Sequence, residues 1–159
     1  MNAPLRSLAA PALCLSLSAC GGAPEGTPST TGAAAATKCE KETRAEPYVA
    51  GMEAKGTTVT VSLRASTPTP PSLGDNDWTL DVKDGSKKPL AGATLTVTQR
   101  MPDHGHGGVK TPVITDSGDG SYDVGPVNFN MEGYWENTVA VKSADGSIDD
   151  KAVLKLCVE

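Results

Sequence analysis

The sequence predicts an all-β protein, a sandwich of about seven short strands. Apolar residues alternate with polar ones at period two, as in residues 57–65, and no stretch of ten residues carries the apolar stripe of an amphipathic helix. Three Asp-Gly pairs, at residues 84–85, 119–120 and 145–146, lie between strand-like segments, where both residues tolerate the positive φ of tight hairpin turns. Short strands at this spacing favour an immunoglobulin-like Greek-key β-sandwich.

Six segments show the alternation in chain order: residues 57–65, 78–82, 93–97, 122–124, 139–141 and, less regularly, 152–158. Residues 67–74 cannot form a central strand, because the three prolines at 68, 70 and 71 lack the backbone N–H that a strand ladder needs. Aromatic residues make up only 4% of the chain. We therefore expect the few large rings to be core anchors, Trp78 and Trp135 above all.

The first 19 residues are typical of a lipoprotein signal peptide. Their apolar run, residues 8–19, is shorter than the ~20 residues that span a bilayer as a helix. The run ends in Leu-Ser-Ala-Cys at residues 17–20, which resembles the lipobox where bacterial lipoproteins are cut and lipidated, here on Cys20. The alternative is an ordinary secretory signal with a chance cysteine.

A lipid on Cys20 predicts a protein of the cell envelope, anchored to a membrane rather than spanning it. The residue after the cysteine is Gly21 rather than an aspartate, and this resembles the pattern of lipoproteins that are sorted to the outer membrane. We therefore expect the outer membrane, facing the periplasm, if the source is a diderm bacterium. Residues 20–37 contain too little apolar bulk to offset their ordering entropy, and we interpret them as the lipidated cysteine and a disordered tether.

Residues 38–159 are predicted to form one domain with a cysteine near each end. In an oxidising compartment, the pair Cys39 and Cys157 indicates a disulfide that closes a loop of more than one hundred residues. The alternative, a cysteine-based metal or redox site, has neither a CxxC spacing nor an adjacent histidine in its favour.

The segment from Met101 to Gly108, Met-Pro-Asp-His-Gly-His-Gly-Gly, contains both histidines of the chain. Imidazole and thioether suit copper, and thioether favours Cu(I). His104 and His106 point the same way if the segment is extended, with Cβ atoms about 7 Å apart. Met101 shares the parity of Leu95 and Val97, so we expect it at a strand end facing the core, and Met131 shares the parity of Phe129. If the Met131 strand neighbours the Met101 strand, these two methionines and the two histidines form a metal site, and Asp103 is a candidate to orient an imidazole. The alternative is a glycine-rich surface turn whose methionines are core residues.

Several segments in this order resemble the YtkA-like family, which includes FixH-like proteins. They are residues 74–84 with 89–93, the Met-Pro-x-His-x-His motif at 101–106, the Gly-Asp-Gly-x-Tyr turn at 118–122 and the Phe-x-Met-x-Gly-x-Trp segment at 129–135. The resemblance covers roughly residues 55–142 and implies an extracytoplasmic immunoglobulin-like sandwich associated with copper handling or cytochrome oxidase assembly. Cys39 and Cys157 lie outside it.

The sequence predicts a protein that is not an enzyme. A nucleophile elbow, an HExxH helix and a glycine-rich phosphate loop are absent from the printed chain. A net charge of −5 disfavours nucleic-acid binding. Two functions remain open: copper binding with a copper-handling or oxidase-assembly partner, and a structural or interaction module of the envelope without metal, in which the histidine loop is a recognition edge.

Overall fold

The computed structural model describes residues 37–159. The predicted signal peptide, the lipidation of Cys20 and nearly all of the tether lie outside these residues. Within them, no helix is long and apolar enough to cross a membrane. A single 3-10 turn at Cys39–Lys41 precedes the strands, which are β1 Met52–Lys55, β2 Val59–Thr67, β3 Gly74–Asp84, β4 Thr94–Met101, β5 His106–Gly107, β6 Val113–Asp116, β7 Ser121–Phe129, β8 Gly133–Lys142 and β9 Asp149–Val158.

The strands form two antiparallel sheets that share one apolar core. One sheet has the order β1-β2-β3-β7-β6, and the other has the order β5-β4-β8-β9. Buried side chains from both sheets, such as Leu80 and Leu154, belong to a single cluster. The β-sandwich is confirmed, whereas the immunoglobulin-like Greek-key connection stays a prediction.

Each of the six alternating segments lies wholly or mostly in a strand, and the strand count is nine rather than about seven. The pattern did not reveal β1, β5 and β6, which have four, two and four residues. β6 is an edge strand with no fully buried residue. An edge strand without a buried face carries no alternation, so period two cannot reveal it.

The Asp-Gly pairs at 119–120 and 145–146 lie in hairpin loops, between β6 and β7 and between β8 and β9. The pair at 84–85 does not, because β3 and β4 belong to different sheets. The Asp84 side chain accepts hydrogen bonds from the backbone N–H of Ser86 and of Lys88, at 2.8 and 2.9 Å. Asp84 thus closes a local turn that sends the chain towards the other sheet.

Tyr122 at the start of β7 ties down this crossover. Its hydroxyl donates to the Leu90 carbonyl at 2.6 Å and accepts from the Ala93 N–H at 2.9 Å. The Tyr122 side chain is fully buried. One phenol therefore satisfies two backbone groups between β3 and β4 that would otherwise lose their hydrogen bonds on burial.

The predicted disulfide between Cys39 and Cys157 is present. It joins residues 118 apart in sequence, with their Cα atoms at 5.4 Å. The bond attaches residues 38–48, which we call the N-terminal strap, to the last strand, β9. Both sequence ends of the described domain are thereby held at one end of the sandwich.

Candidate metal site

Met101 and His106 face each other at the end of the four-stranded sheet. Met101 is the last residue of β4 and is the register partner of His106 in β5. Residues opposite each other in an antiparallel pair project from the same face. Leu95, Val97 and Met101 alternate inward along β4, as the predicted parity requires, and Met101 is only 2% exposed.

A tight turn, rather than the expected extended segment, connects Met101 to His106. The N–H groups of His104 and Gly105 both donate to the Met101 carbonyl, at 3.2 and 2.9 Å, and Gly105 has a φ of +71°. The condition under which the two histidine side chains would be parallel, an extended segment, is therefore not met. The turn nevertheless places the two imidazole rings near each other, with centroids 5.9 Å apart.

The last two glycines of the motif allow close packing rather than bending. A Cβ on Gly107 would lie 2.7 Å from the Gln99 carbonyl oxygen, and one on Gly108 would lie 2.5 Å from the Gln99 side-chain oxygen. Only a residue without Cβ can approach that closely. Gly107 and Gly108 thus keep β5 and the following loop flat against β4, which places His106 beside Met101.

Met131 reaches His106 from the loop between β7 and β8. Its sulfur lies 3.2 Å from His106 Nε2. The side chain is 38% exposed, so Met131 is not the core residue that the alternative interpretation expected. Met101, by contrast, is a member of the buried core.

The contact of the second ring nitrogen of His106, Nδ1, determines whether Nε2 presents a proton or a lone pair to Met131. Nδ1 lies 3.1 Å from the Gly107 carbonyl oxygen. A carbonyl can only accept, so this contact is a hydrogen bond when Nδ1 carries the proton. In that tautomer Nε2 presents its lone pair to the Met131 sulfur. Two atoms able to donate electron pairs to a soft cation then lie side by side.

Asp103 does not orient an imidazole. Arg44 of the N-terminal strap binds it with two hydrogen bonds of 2.7 Å, and lies 4.3 Å from the centroid of the Tyr134 ring. Arg44 also pairs with Glu42 at 2.7 Å. The guanidinium lowers the pKa of Asp103 and holds that of Glu42 at about 2. The carboxylate next to His104 therefore serves to fix the turn to the strap.

Met101 and His104 also line a cleft of about 270 Å³ beneath the strap. Lys38 and Glu42 form its strap side, and Tyr134 and Cys157 lie on its sheet side. His106 and Met131 are not among its lining residues. The four predicted ligands thus divide into a direct pair, His106 with Met131, and a second pair around the cleft.

Sequence reasoning missed the residues that support the ligands. Trp135 donates its indole N–H to the Met131 carbonyl at 3.0 Å. Gly133 has a φ of +128°, and a Cβ there would come within 2.9 Å of the Met101 methyl group. Gly133 and Trp135 follow Met131 by two and four residues in the Phe-x-Met-x-Gly-x-Trp segment. That spacing is visible in the sequence, but the contacts that these residues make with Met101 and Met131 are not.

In the described part of the chain, no group of three or more His, Cys, Asp or Glu side chains is placed to hold a metal ion. The candidate donors at this end of the sandwich are the sulfurs of Met101 and Met131 and the imidazoles of His104 and His106. That donor chemistry fits a soft monovalent ion better than zinc or calcium.

Comparison with known proteins gives one family match. The model of the family described as YtkA-like matches residues 53–140, which is more than half of the chain. No curated protein and no solved structure matches the chain. The matched range contains the four predicted ligands and excludes both cysteines of the disulfide.

Proposed function

Because the chain belongs to the YtkA-like family, we propose that it is a non-enzymatic extracytoplasmic protein that binds copper at the end of its sandwich. The observation that carries this proposal is the contact of His106 Nε2 with Met131 Sδ at 3.2 Å. Bonds of about 2.0 Å to nitrogen and about 2.3 Å to sulfur, typical of a first-row metal, separate two ligand atoms by roughly 3.5 Å across a tetrahedral angle. The observed spacing is close to that value.

The remaining donors fit the same ion chemistry. His104 lies beside His106, and Met101 lies opposite it in the strand register. Both the direct pair and the pair around the cleft consist of one imidazole and one thioether, and these donor types favour Cu(I) over the divalent ions that prefer oxygen. His106 Nδ1 lies 3.1 Å from a backbone carbonyl, and with the proton on Nδ1 this contact is the arrangement that orients metal-binding histidines.

The disulfide supports an extracytoplasmic location, since such bonds persist in oxidising compartments. We extend the proposal to a lipid anchor on Cys20, and to the outer membrane facing the periplasm if the source is a diderm bacterium. The expected partner is a copper-handling or oxidase-assembly protein that exchanges the ion at this end. Nucleic acid is not an expected partner, given the net charge of −5.

Competition for Cu(I) with a coloured chelator, under anaerobic conditions, tests the proposal on the full chain. We expect the double variant His104→Ala with His106→Ala to lose binding. We expect Met131→Leu to weaken binding about 10-fold or more, in the range seen when a metal site loses a supporting interaction. Met52→Leu is the matched control, because Met52 lies in β1 of the other sheet. Equal affinities of wild type and the double histidine variant would refute the proposal.

A second candidate is a metal-free interaction module. Val109 and Val113, which flank the loop after His106, are 70% and 69% exposed. A partner that docks on the histidine loop would cover these two apolar side chains. Two results together would favour this function. Wild-type protein would bind neither copper state in the titration, and Val109→Ser would lose a partner that co-purifies with wild type.

A further inference from the structure

Trp135 holds the Met131 loop through its indole. The N–H of this ring donates to the Met131 carbonyl four residues earlier, at 3.0 Å. Trp135 itself is fully buried in β8. The Met131 side chain is partly exposed, so packing alone does not fix its position. The hydrogen bond therefore ties a loop residue to the rigid sheet.

The same ring flanks His106. Its centroid lies 5.9 Å from that of the imidazole, with the planes at 70°, an edge-to-face arrangement. The Phe129 ring also lies near Trp135, with centroids 5.2 Å apart. Trp135 thus contacts both the core and His106, and it limits the orientations that the imidazole can take.

We propose that Trp135 is a positioning residue that sets the spacing between His106 Nε2 and Met131 Sδ. It contacts one candidate ligand through its ring and the other through its N–H. The inference rests on the proposed copper site. Among the described residues, Trp135 alone combines a side-chain hydrogen bond to the Met131 backbone with a ring contact to His106.

Trp78 provides a matched control within the same core. It is 1% exposed and also contacts Phe129, at 6.0 Å between centroids. Its indole N–H, however, has no hydrogen-bond partner among residues 37–159. Replacement of either tryptophan by phenylalanine removes a similar volume from the core, but only Trp135→Phe removes a hydrogen bond to the candidate site.

The test compares Trp135→Phe with Trp78→Phe in the full chain. Phenylalanine keeps an aromatic ring in place and removes the N–H. Loss of one hydrogen bond predicts Cu(I) binding weaker by about five- to tenfold in Trp135→Phe. We expect Trp78→Phe to bind within about twofold of wild type, since Trp78 has neither a hydrogen bond nor a ring contact to His106 or Met131. Each variant keeps one tryptophan, which is Trp135 in Trp78→Phe and Trp78 in Trp135→Phe. Cu(II) should quench the tryptophan emission of Trp78→Phe more than that of Trp135→Phe.

A metal-free measurement separates the two proposals. With methyl-labelled methionine, the Met131 resonance should shift and broaden in Trp135→Phe and stay in place in Trp78→Phe. An unchanged Met131 resonance overturns the positioning role, whatever the copper titration gives. A Trp135→Phe variant that binds Cu(I) as tightly as wild type also overturns it, while leaving the copper site standing. If wild type binds no copper but the Met131 resonance moves, the proposed function fails and the positioning of the loop is retained.

Discussion

Replacement of Cys39 and Cys157 together by serine is expected to lower the free energy of unfolding by about 4–5 kcal/mol. The bond joins residues 118 apart, and the chain-entropy model assigns about 4–5 kcal/mol to closure of a loop of that length. Small domains have total stabilities of about 5–15 kcal/mol. The disulfide therefore contributes roughly a quarter or more of the stability of a domain of this size, because it removes conformational freedom from the unfolded chain.

Urea denaturation followed by tryptophan emission measures this change, since Trp78 and Trp135 are both buried in the native state. In thermal denaturation, we expect the melting temperature of the double serine variant to be lower than that of wild type by roughly 10–20 °C. Reduction of the wild-type bond under the same conditions should reproduce the loss, which controls for effects of the serines. A loss below about 1 kcal/mol, with an unchanged dependence on urea, would refute the loop-closure reasoning.

Two further predictions concern single side chains. Tyr122→Phe removes the hydroxyl that satisfies two backbone groups of the β3–β4 crossover, and we expect a loss of about 2–3 kcal/mol in urea denaturation. Tyr48→Phe, where the hydroxyl has one long contact at 3.5 Å, should stay within about 0.5 kcal/mol; equal losses would contradict the assignment. The pKa of Glu42 is lowered from 4.5 to about 2 by Arg44, so its stabilising contribution is present above pH 4.5 and is lost as the pH falls towards 2. The protection factors of amides in the N-terminal strap, which correct for the pH dependence of intrinsic hydrogen exchange, should fall over that range before those of β8 do, and strap protection that persists at pH 2 would contradict it.

Much of the sheet structure could be predicted from the sequence because strand burial has a period of two. The alternation along β4 correctly placed Leu95, Val97 and Met101 on the inner face. The same rule failed at Met131, which shares the parity of Phe129 but is 38% exposed. Parity holds only while a strand continues, and β7 ends at Phe129.

The sequence by itself determined the fold class, the disulfide pair and the chemical types of the candidate ligands. These depend on local alternation, on the number of cysteines and on which residues can donate electron pairs. Only the tertiary structure decided that Met131 meets His106, 25 residues apart, and that Arg44 fixes Asp103, 59 residues apart. Such contacts depend on which strands join which sheet and on where their loops meet, and alternation along a single strand carries no information about either.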